Sequence, residues 1–533
     1  MTAAGTADAA RPQGPAADTQ EAAQAFLGNA SSFGPDVTEV ERIDTHGAMV
    51  FLAGDFAYKI KRAVRYPYMD FSTLEKRRRA LERELSLNIR TAPCLYLQVL
   101  PLTQEADGGF AFDGPGTAVE WVLVMKRFPQ SQLFDRLAEA GQLSDATMTA
   151  LADAVAVFHD AAPSIDALSG PQLLHGARAM EWVVEENNEE ILQRRDLFVP
   201  AQAARLAEGS LAALESHRSL LDRRSRQGRQ RLCHGDLHLR NVVLLNERPV
   251  LFDAIEFNDA IACIDVFYDL AFLLMDLEER GFKRFANLVL NRYLQQRDDL
   301  EALALLPLFL SARASVRAKV AASLEAVESS PEAKTRRRDE ALGYFAQALR
   351  FLEPPPPRLV AVGGLSGSGK TSLARLLAVD LGASPGAVHL RSDVLRKTLS
   401  GVEEHVRLPP EAYDRTASEA VYRRLLENAE HVLKTGHAVI IDAVFARPEE
   451  RAAAQAVATA CGTEFTGLWL QARPETLIAR VDQRRGDASD ATAAVVSQQL
   501  SYDIGALDWQ AIDAEAPLEA IAAGARKALG LTG

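Results

Sequence analysis

The sequence predicts two domains of different fold class, an α+β domain with two lobes followed by an α/β domain with a mostly parallel sheet. Four consecutive prolines, Pro354 to Pro357, mark the boundary, because proline donates no backbone hydrogen bond and favours an extended spacer. Predicted strands and then helices precede the prolines, whereas strands and helices alternate after them. We therefore expect a disordered tail at 1–22, domains at 23–350 and 358–533, and a linker at 351–357.

The first domain is expected to open with strands between residues 40 and 102, around one charged helix from Leu74 to Arg90. Residues 143–232 are mostly helical by spacing. Apolar residues there recur at three- and four-residue steps, which predicts a buried face, and His159 beside that face is expected to pack in the core. A short hairpin follows, with its turn at 246–249.

The second domain is expected to open with the apolar strand Arg358 to Gly364, which ends in two glycines. Further strands are predicted at 388–390, 438–441 and 465–470, and helices from Thr371 and at 418–433. Strands interleaved with helices in this way are typical of a parallel sheet covered by helices.

Composition excludes several classes of protein. The 533 residues include 59 Lys and Arg against 72 Asp and Glu, and this net charge of −13 argues against broad nucleic-acid binding. The four cysteines are far apart, so neither a disulfide framework nor a thiolate zinc site is predicted. No apolar run reaches the roughly 20 residues of a membrane helix. We expect a cytoplasmic protein with no membrane partner.

A phosphate-binding loop is predicted at the start of the second domain. Residues 364–371 fit the pattern G-x-x-x-x-G-K-[ST] between a predicted strand and a predicted helix. Glycines let backbone N–H groups converge on phosphate oxygens, Lys370 adds positive charge, and Thr371 offers a hydroxyl to Mg²⁺. The predicted nucleotide-binding residues are Gly364, Ser366, Gly367, Ser368, Gly369, Lys370, Thr371 and Ser372.

Two carboxylates follow later strands of the second domain. Asp393 comes after the second predicted strand, at the edge of the sheet where ligands bind, and could accept the proton of an acceptor hydroxyl. Arg396 would share its helix face and could orient the acceptor or the transferring phosphoryl group. Asp442 ends an apolar strand, a usual place for a carboxylate that holds Mg²⁺. Helix capping or surface roles for the two aspartates are the alternative.

A closing lid is predicted further along the second domain, where a helix with Arg480, Arg484 and Arg485 enters a loop of small residues. Arg480 and Arg484 share one helix face and are expected to reach the phosphates when the lid closes, and a solvated charged face is the alternative. With these features the second domain resembles the small P-loop kinases, such as gluconate kinase and polynucleotide 5′-hydroxyl kinase. That resemblance implies a catalytic base at Asp393.

A second set of residues lies in the first domain. His234-Gly-Asp236 is followed by Asn241 five residues after the aspartate, and then by a hairpin that leads to Asp253. Protein kinases place a catalytic Asp, a metal-binding Asn and a second metal-binding Asp in this order. The pattern predicts Asp236 as a base, with Asn241 and Asp253 as ligands of Mg²⁺.

These motifs resemble the aminoglycoside phosphotransferase and choline kinase group, which has a protein-kinase-like fold, over roughly residues 40–349. The resemblance places Lys59 at the ATP phosphates, with Lys61 as a rival on the same strand face. It makes Glu84 the partner of the lysine, with Glu82 as second candidate. Met125 ends an apolar run that resembles the adenine-binding hinge. No glycine-rich loop occurs in the front lobe, where Gly54 and Asp55 form only a tight turn.

The combination of a protein-kinase-like α+β domain and an α/β P-loop domain also resembles a family of fused proteins labelled bifunctional aminoglycoside phosphotransferase and ATP-binding protein. We expect each domain to use ATP and Mg²⁺ to phosphorylate a hydroxyl of a small molecule. One alternative is a nucleotide-responsive regulator in which one domain binds ATP without transfer, and another is a polynucleotide 5′-hydroxyl kinase in the second half. Both acceptors and the oligomeric state stay open.

Overall fold

The computed structural model describes residues 15–45, 47–66, 69–168, 173–483 and 488–531. The chain forms two compact units, one of residues 1–179 and 220–270, the other of residues 180–219 and 271–533. Among the described residues, no helix has the length and apolar character that crossing a membrane requires.

The first unit contains a six-stranded antiparallel sheet with the strand order β1-β2-β3-β8-β6-β7. Three two-stranded sheets, β4 with β5, β9 with β12 and β10 with β11, complete its strands in the described residues. The strands are β1 Val40–Asp44, β2 Ala48–Ala53, β3 Phe56–Lys61, β4 Arg65–Tyr66, β5 Met69–Asp70, β6 Tyr96–Gln104, β7 Phe110–Phe112, β8 Thr117–Lys126, β9 Gln230–Leu232, β10 Val242–Leu245, β11 Arg248–Leu251 and β12 Cys263–Asp265.

Helices surround these strands, and three of them continue into the second unit. They are α1 Pro15–Leu27, α2 Leu74–Asn88, α3 Phe134–Glu139, α4 Asp145–Ala161, α5 Gly176–Gln193, α6 Pro200–Arg226, α7 Asp259–Ala262 and α8 Val266–Glu279.

The charged helix α2 was predicted to within two residues. Thr73 caps it by accepting a hydrogen bond from the Lys76 N–H, as a threonine at a helix start does. One face, which includes Leu81 and Leu87, is buried, so the remaining charged residues cover the exposed side. The apolar face predicted in α4 is also buried, and His159 is packed in the core beside it.

The predicted tail differs from the structure between Pro15 and residue 22. Helix α1 begins at Pro15, and the buried side-chain amide of Gln20 donates to the Glu120 carboxylate at 2.8 Å. Ala23 and Leu27 are fully buried in an apolar cluster with strands β2 and β8. Residues 1–20 are rich in Ala, Gly, Pro and Thr, which suggested disorder, but alanine favours helix, and Ala23 and Leu27 give this helix an apolar face to bury. Residues 1–14 lie outside the described residues.

The second unit contains a five-stranded parallel sheet with the order β14-β15-β13-β16-β17. Its strands are β13 Arg358–Gly364, β14 Val388–Arg391, β15 Val439–Asp442, β16 Glu464–Gln471 and β17 Gln510–Asp513. Its further helices are α9 Lys283–Arg297, α10 Leu306–Val327, α11 Pro331–Phe351, α12 Lys370–Ala378, α13 Ser392–Leu399, α14 Arg415–Lys434, α15 Pro448–Ala460, α16 Pro474–Gln483, α17 Ala493–Gln499 and α18 Leu518–Ala528.

The predicted parallel sheet is confirmed, and the four predicted strands begin and end within one residue of β13, β14, β15 and β16, whereas β17 was not predicted. Buried aliphatic residues of β13, β15 and β16 form one core with helices α12 and α18. Because the strands are parallel, the loops that follow β13, β14 and β15 leave the sheet at one edge. That edge holds the predicted phosphate loop, Asp393 and Asp442.

Candidate active sites

The first candidate site is built around a chain of five charged side chains, which are buried except for Asp253, whose side chain is 42% exposed. The Lys59 ammonium lies 2.7 Å from the Glu84 carboxylate and 2.7 Å from the Asp253 carboxylate. Lys61 lies 2.6 Å from the other oxygen of Glu84 and 2.5 Å from Glu256. Glu84 is fully buried between the two lysines, whereas Glu82 pairs with Arg78 on an exposed face. Lys61, the alternative to Lys59 in the prediction, is thus a second lysine in the same network of ion pairs.

Asp253 is held at the turn after β11 in an uncommon backbone conformation, with φ of +61°. Its N–H donates to the Tyr96 hydroxyl at 3.1 Å, and the next N–H, of Ala254, donates to the Asn88 side chain at 2.9 Å. Loss of hydration tends to raise the pKa of Asp253, but the Lys59 ammonium outweighs it, so the pKa is lowered. The carboxylate is therefore ionised at neutral pH and fixed in place.

The loop that carries Asp236 is held by hydrogen bonds from its backbone to the buried carboxylate of Asp269. Asp269 accepts the N–H groups of His234 and Gly235 at 3.1 and 2.9 Å. Gly235 has φ of +81°, and a Cβ there would lie 3.1 Å from Ile255, so glycine suits this position. The Asn241 amide nitrogen donates to the backbone carbonyl of Asp236 at 2.9 Å and to its carboxylate at 3.0 Å.

This arrangement suits a divalent cation and a nucleoside triphosphate. Because Asn241 uses its amide nitrogen on Asp236, its carbonyl oxygen is the atom left to bind a metal. Asp253 adds an ionised carboxylate, and oxygen ligands of these two kinds are what Mg²⁺ prefers. Met125, in β8, is buried in an apolar cluster with Ala57 and Val243. Gly54 and Asp55 form the turn between β2 and β3, as expected.

The second candidate site is the loop between β13 and α12. Gly364 and Gly367 have φ of +139° and +87°, and a Cβ at Gly367 would stand 2.4 Å from the Leu477 carbonyl oxygen. Only glycine fits such a backbone. Lys370 donates to the carbonyl of Leu365 at 3.1 Å. The buried Ser368 hydroxyl has no hydrogen-bond partner among the described residues, as expected of a group that binds a ligand.

Asp442 stands at the end of β15 and accepts a hydrogen bond from the Thr371 hydroxyl. His389 Nε2 lies 3.6 Å and Arg391 Nε 3.8 Å from the same carboxylate. Burial tends to raise the pKa of Asp442, but His389, Lys370 and Arg391 outweigh it and lower the pKa strongly. An ionised carboxylate beside a threonine hydroxyl fits the ligand set expected for Mg²⁺ at a phosphate loop.

Asp393 lies in the first turn of α13, directly after β14, as the sequence predicted. Its side chain is half-buried, and within the described ranges it makes no hydrogen bond or ion pair. Arg396 is directed elsewhere. Its guanidinium donates to the Ala412 carbonyl at 2.5 Å and lies 4.8 Å above the Tyr413 ring. Arg396 therefore holds the segment after α13, and its predicted contact with acceptor or phosphoryl group stays a prediction.

The predicted lid is described only in part. Arg480 donates to the carbonyl of Ala514 at 2.9 Å, so in this structure it supports the segment between β17 and α18. Arg484 and Arg485 lie outside the described residues. Asp490, which follows them, accepts hydrogen bonds from the Lys397 ammonium at 2.6 Å, the Tyr413 hydroxyl at 2.6 Å and the Leu408 N–H at 2.9 Å.

Sequence reasoning missed several residues of the two sites. In the first site it missed Glu256, the partner of Lys61. In the second it missed His389 and Arg391, and also Gln499, whose side chain accepts the Ser366 N–H at 2.8 Å. One signal was present for two of them, since His389 and Arg391 are polar residues at alternating positions of a buried strand.

Comparison with family models matches both halves of the chain. The Phosphotransferase enzyme family (APH) matches residues 76–306, and an AAA domain (AAA_33) matches residues 359–502. Three mycobacterial proteins are each 32% identical over 471 residues, which are 87% of this chain and 90% of the relative. They are Mb2027c of Mycobacterium bovis and MT2060 and Rv2004c of Mycobacterium tuberculosis, each described as an uncharacterized protein.

The chain belongs to the family of Rv2004c. Within this Rv2004c-family chain, a kinase-like APH fold is followed by a P-loop kinase domain with a parallel five-stranded sheet, so the predicted fold class and family resemblance are confirmed. Domains of these two families support phosphoryl transfer as the general activity.

Solved structures resemble each half of this Rv2004c-family chain. A choline/ethanolamine kinase family protein from Mesorhizobium loti is 15% identical, with 63% of this chain and 99% of that chain covered and a TM-score of 0.39. A sugar kinase from Janibacter sp. HTCC2649 is 22% identical, with 33% and 96% covered and a TM-score of 0.25. At these TM-scores the likeness carries no conclusion about a substrate.

Proposed function

We propose that the protein is an ATP-dependent phosphotransferase with two sites, each of which transfers the γ-phosphoryl group of ATP to a hydroxyl of a small molecule. One observation carries the proposal. Lys59 pairs with both Glu84 and Asp253, which are 25 and 194 residues away in the sequence, and this joins a phosphate-binding lysine to a metal-binding carboxylate.

In the first site, Lys59 would hold ATP phosphate oxygens, while Asn241 and Asp253 hold the Mg²⁺ that neutralises phosphate charge. Asp236 accepts the proton of the acceptor hydroxyl as the new oxygen–phosphorus bond forms and the bond to the β-phosphate oxygen breaks. The products are a phosphate monoester and ADP. The hydrogen bond from Asn241 orients the Asp236 carboxylate, and positioning of this kind supplies much of the rate in phosphoryl transfer.

In the second site, the backbone of residues 364–371 would bind the phosphates, and Thr371 with Asp442 would hold Mg²⁺. Asp393 takes the proton of the acceptor hydroxyl. This assignment is supported by its position after β14 and by the absence of any ion pair to its carboxylate among the described residues.

We further propose that both acceptors are small molecules and that the protein acts in the cytoplasm. The net charge of −13 disfavours a polynucleotide acceptor because phosphate backbones are repelled by an acidic protein.

The test is a screen of a metabolite extract with γ-labelled ATP and Mg²⁺, using the full chain and the variants Asp236→Asn and Asp393→Asn. We expect one labelled product to disappear with each variant, since loss of a general base costs about 10²- to 10⁴-fold in rate. The matched controls are Asp36→Asn and Asp508→Asn, which change exposed aspartates outside both sites and should leave every product unchanged.

The outcomes separate the proposal from its rivals. If only one of the two variants removes a labelled product, and the site of the other aspartate binds ATP without any product that depends on it, that other site is a nucleotide-responsive regulatory domain. Label that appears only on added oligonucleotide ends contradicts the small-molecule acceptor. Absence of any labelled product with the unaltered chain contradicts the proposed function as a whole.

A further inference from the structure

Two asparagine side chains make hydrogen bonds along the outer side of β14, at one edge of the parallel sheet in the second unit. Strand β14 is an edge strand, so one side of its backbone has no neighbouring strand. The side-chain amides of Asn287 and Asn291, both in α9, donate to the Ala387 carbonyl at 3.0 and 3.3 Å. The Asn291 side-chain oxygen also accepts the His389 N–H at 2.6 Å. Asn291 therefore bonds the edge with one donor and one acceptor, as a strand would.

Strand β14 carries the two side chains that face the metal-binding carboxylate. His389 is buried, with Nε2 at 3.6 Å from the Asp442 carboxylate, and Arg391 Nε lies 3.8 Å from the same oxygen. Asp442 is in turn bonded to the Thr371 hydroxyl. A shift of β14 along its own axis would move both side chains relative to the pair that is expected to hold Mg²⁺.

A second connection runs between α9 and β14 through charged side chains. Arg391 lies 3.1 Å from one oxygen of Glu404, and Arg292 of α9 lies 3.2 Å from the other. Glu404 thus links an arginine beside Asp442 to an arginine one residue after Asn291. Helix α9 is therefore connected to both residues next to Asp442, to His389 through a hydrogen bond with its backbone N–H and to Arg391 through the ion pairs of Glu404.

We propose that Asn291 is a positioning residue of the second site, acting through His389 and Arg391 on the carboxylate that binds Mg²⁺. It fixes the backbone at His389, and so it sets the place of Arg391 and of the start of α13, where Asp393 lies. Helix α9 falls within residues 76–306, the range matched by the Phosphotransferase enzyme family, although it packs in the second unit. A helix from the region matched by the other family therefore supports the edge strand of the P-loop domain.

This inference rests on the proposed function of the second site, and hydrogen exchange can test it without any acceptor. In the full chain, Asn291→Ala should speed the exchange of amides 387–391 about 3- to 10-fold, because the N–H of His389 loses its acceptor. It should also raise the Mg²⁺ concentration at which ATP protects amides 364–372 by about tenfold, since removing a residue that orients a metal ligand typically weakens metal binding by about 10- to 100-fold.

The matched control is Gln296→Ala, which removes an exposed side chain of the same helix and should change neither quantity. Asn291→Asp keeps an acceptor for the His389 N–H but loses the donor to Ala387, so its effects should lie between those of the unaltered chain and Asn291→Ala. If Asn291→Ala prevents folding, Asn291→Asp against the same control provides the test.

Two results would overturn the proposal. Unchanged exchange at 387–391 in Asn291→Ala would mean that the asparagine does not hold the edge, and faster exchange with an unchanged Mg²⁺ requirement would mean that the contact is only structural. Failure of the proposed function is a separate result. In that case ATP protects 364–372 in the unaltered chain but no acceptor becomes phosphorylated, and the effect of Asn291 on Mg²⁺ still supports positioning. No protection of 364–372 in the unaltered chain overturns both.

Discussion

The substitution Glu84→Gln tests the buried network of the first site. Glu84 is fully buried, and each of its carboxylate oxygens faces a lysine, at 2.7 Å from Lys59 and 2.6 Å from Lys61. A glutamine has nearly the same shape, but it has only one acceptor oxygen, and its NH₂ group would face an ammonium. The change therefore removes one charge from a chain of five charges, of which Lys59, Lys61 and Glu84 are buried, and leaves one lysine against a donor.

The cost follows from the loss of one hydrogen bond, donated by Lys59, and of one ion pair, with Lys61. A hydrogen bond between charged groups contributes about 1.5–3 kcal/mol, and breaking a buried ion pair by removing one partner costs about 3–5 kcal/mol. We expect a loss of roughly 3 kcal/mol in the free energy of unfolding of the first unit, since Asp253 and Glu256 still neutralise the lysines. At about 2–4 °C per kcal/mol for a unit of this size, the Tm should fall by roughly 6–12 °C.

The measurement is calorimetric unfolding of the full chain, with hydrogen exchange at residues 74–88 to assign the transition to the first unit. The matched control on the same helix is Glu82→Gln. Glu82 lies 2.8 Å from Arg78, but its side chain is 47% exposed, so the loss should stay within about 0.5 kcal/mol. Equal Tm shifts for the two variants would refute the reasoning, because they would show that the buried charges contribute no more than a surface pair.

Three further substitutions test the second site. Gly367→Ala should abolish ATP protection of the phosphate loop, because its Cβ would lie 2.4 Å from the Leu477 carbonyl oxygen. The control Gly524→Ala places its Cβ in open space on α18. It should raise the free energy of unfolding by up to about 1 kcal/mol, measured by thermal unfolding. Gln499→Ala should weaken ATP binding at the loop about tenfold in titrations, because a buried N–H loses its acceptor at a cost of about 1–3 kcal/mol, while Gln498→Ala should have no effect. Burial tends to raise the pKa of Asp490, but three hydrogen bonds outweigh it and lower the pKa. The stabilising effect of the ionised Asp490 is therefore present above the unfolded-state pKa of about 3.9 and is lost as the pH falls through the lower folded-state pKa. The Tm difference between the unaltered chain and Asp490→Asn should be largest near neutral pH and should shrink at acidic pH.

The sequence was sufficient where a site is built from neighbouring residues. The phosphate loop at 364–371 and the order Asp236, Asn241, Asp253 depend on turns and short strands whose residue types are visible locally. The strand that ends at Asp442 was predicted for the same reason, because four consecutive apolar residues precede the carboxylate.

Contacts between distant residues could not be predicted in the same way. Gln499 is 133 residues from Ser366, and Glu256 is 195 residues from Lys61, so no local pattern identifies them as partners. Packing also redirected Arg396, which the spacing put on the helix face of Asp393 but which the structure places over the ring of Tyr413. A helical period fixes the face of a residue but not the group that its long side chain reaches.

In both sites, the carboxylate proposed to bind Mg²⁺ has different charged neighbours from the carboxylate proposed to act as the base. Asp253 and Asp442 are each beside cations that lower their pKa, so they stay ionised and suit Mg²⁺. The proposed bases have different neighbours. Asp236 accepts from the amide of Asn241 and lies 3.3 Å from His238 Nε2, and Asp393 has no cationic partner among the described residues. Environments that differ in this way commonly divide the roles of paired acidic groups in enzymes.

This division predicts different effects for two substitutions in the first site. Asp253→Asn should raise the Mg²⁺ concentration at which ATP protects amides 56–61 by tenfold or more, because a charged metal ligand is lost. Asp236→Asn should leave that concentration within about twofold and lower phosphoryl transfer by about 10²- to 10⁴-fold, because only the proton acceptor is lost. Hydrogen exchange over a Mg²⁺ titration and a transfer assay on the same samples measure both quantities. If the two variants shift the Mg²⁺ requirement equally, the two aspartates share the metal, and the assignment of Asp236 as the base is wrong.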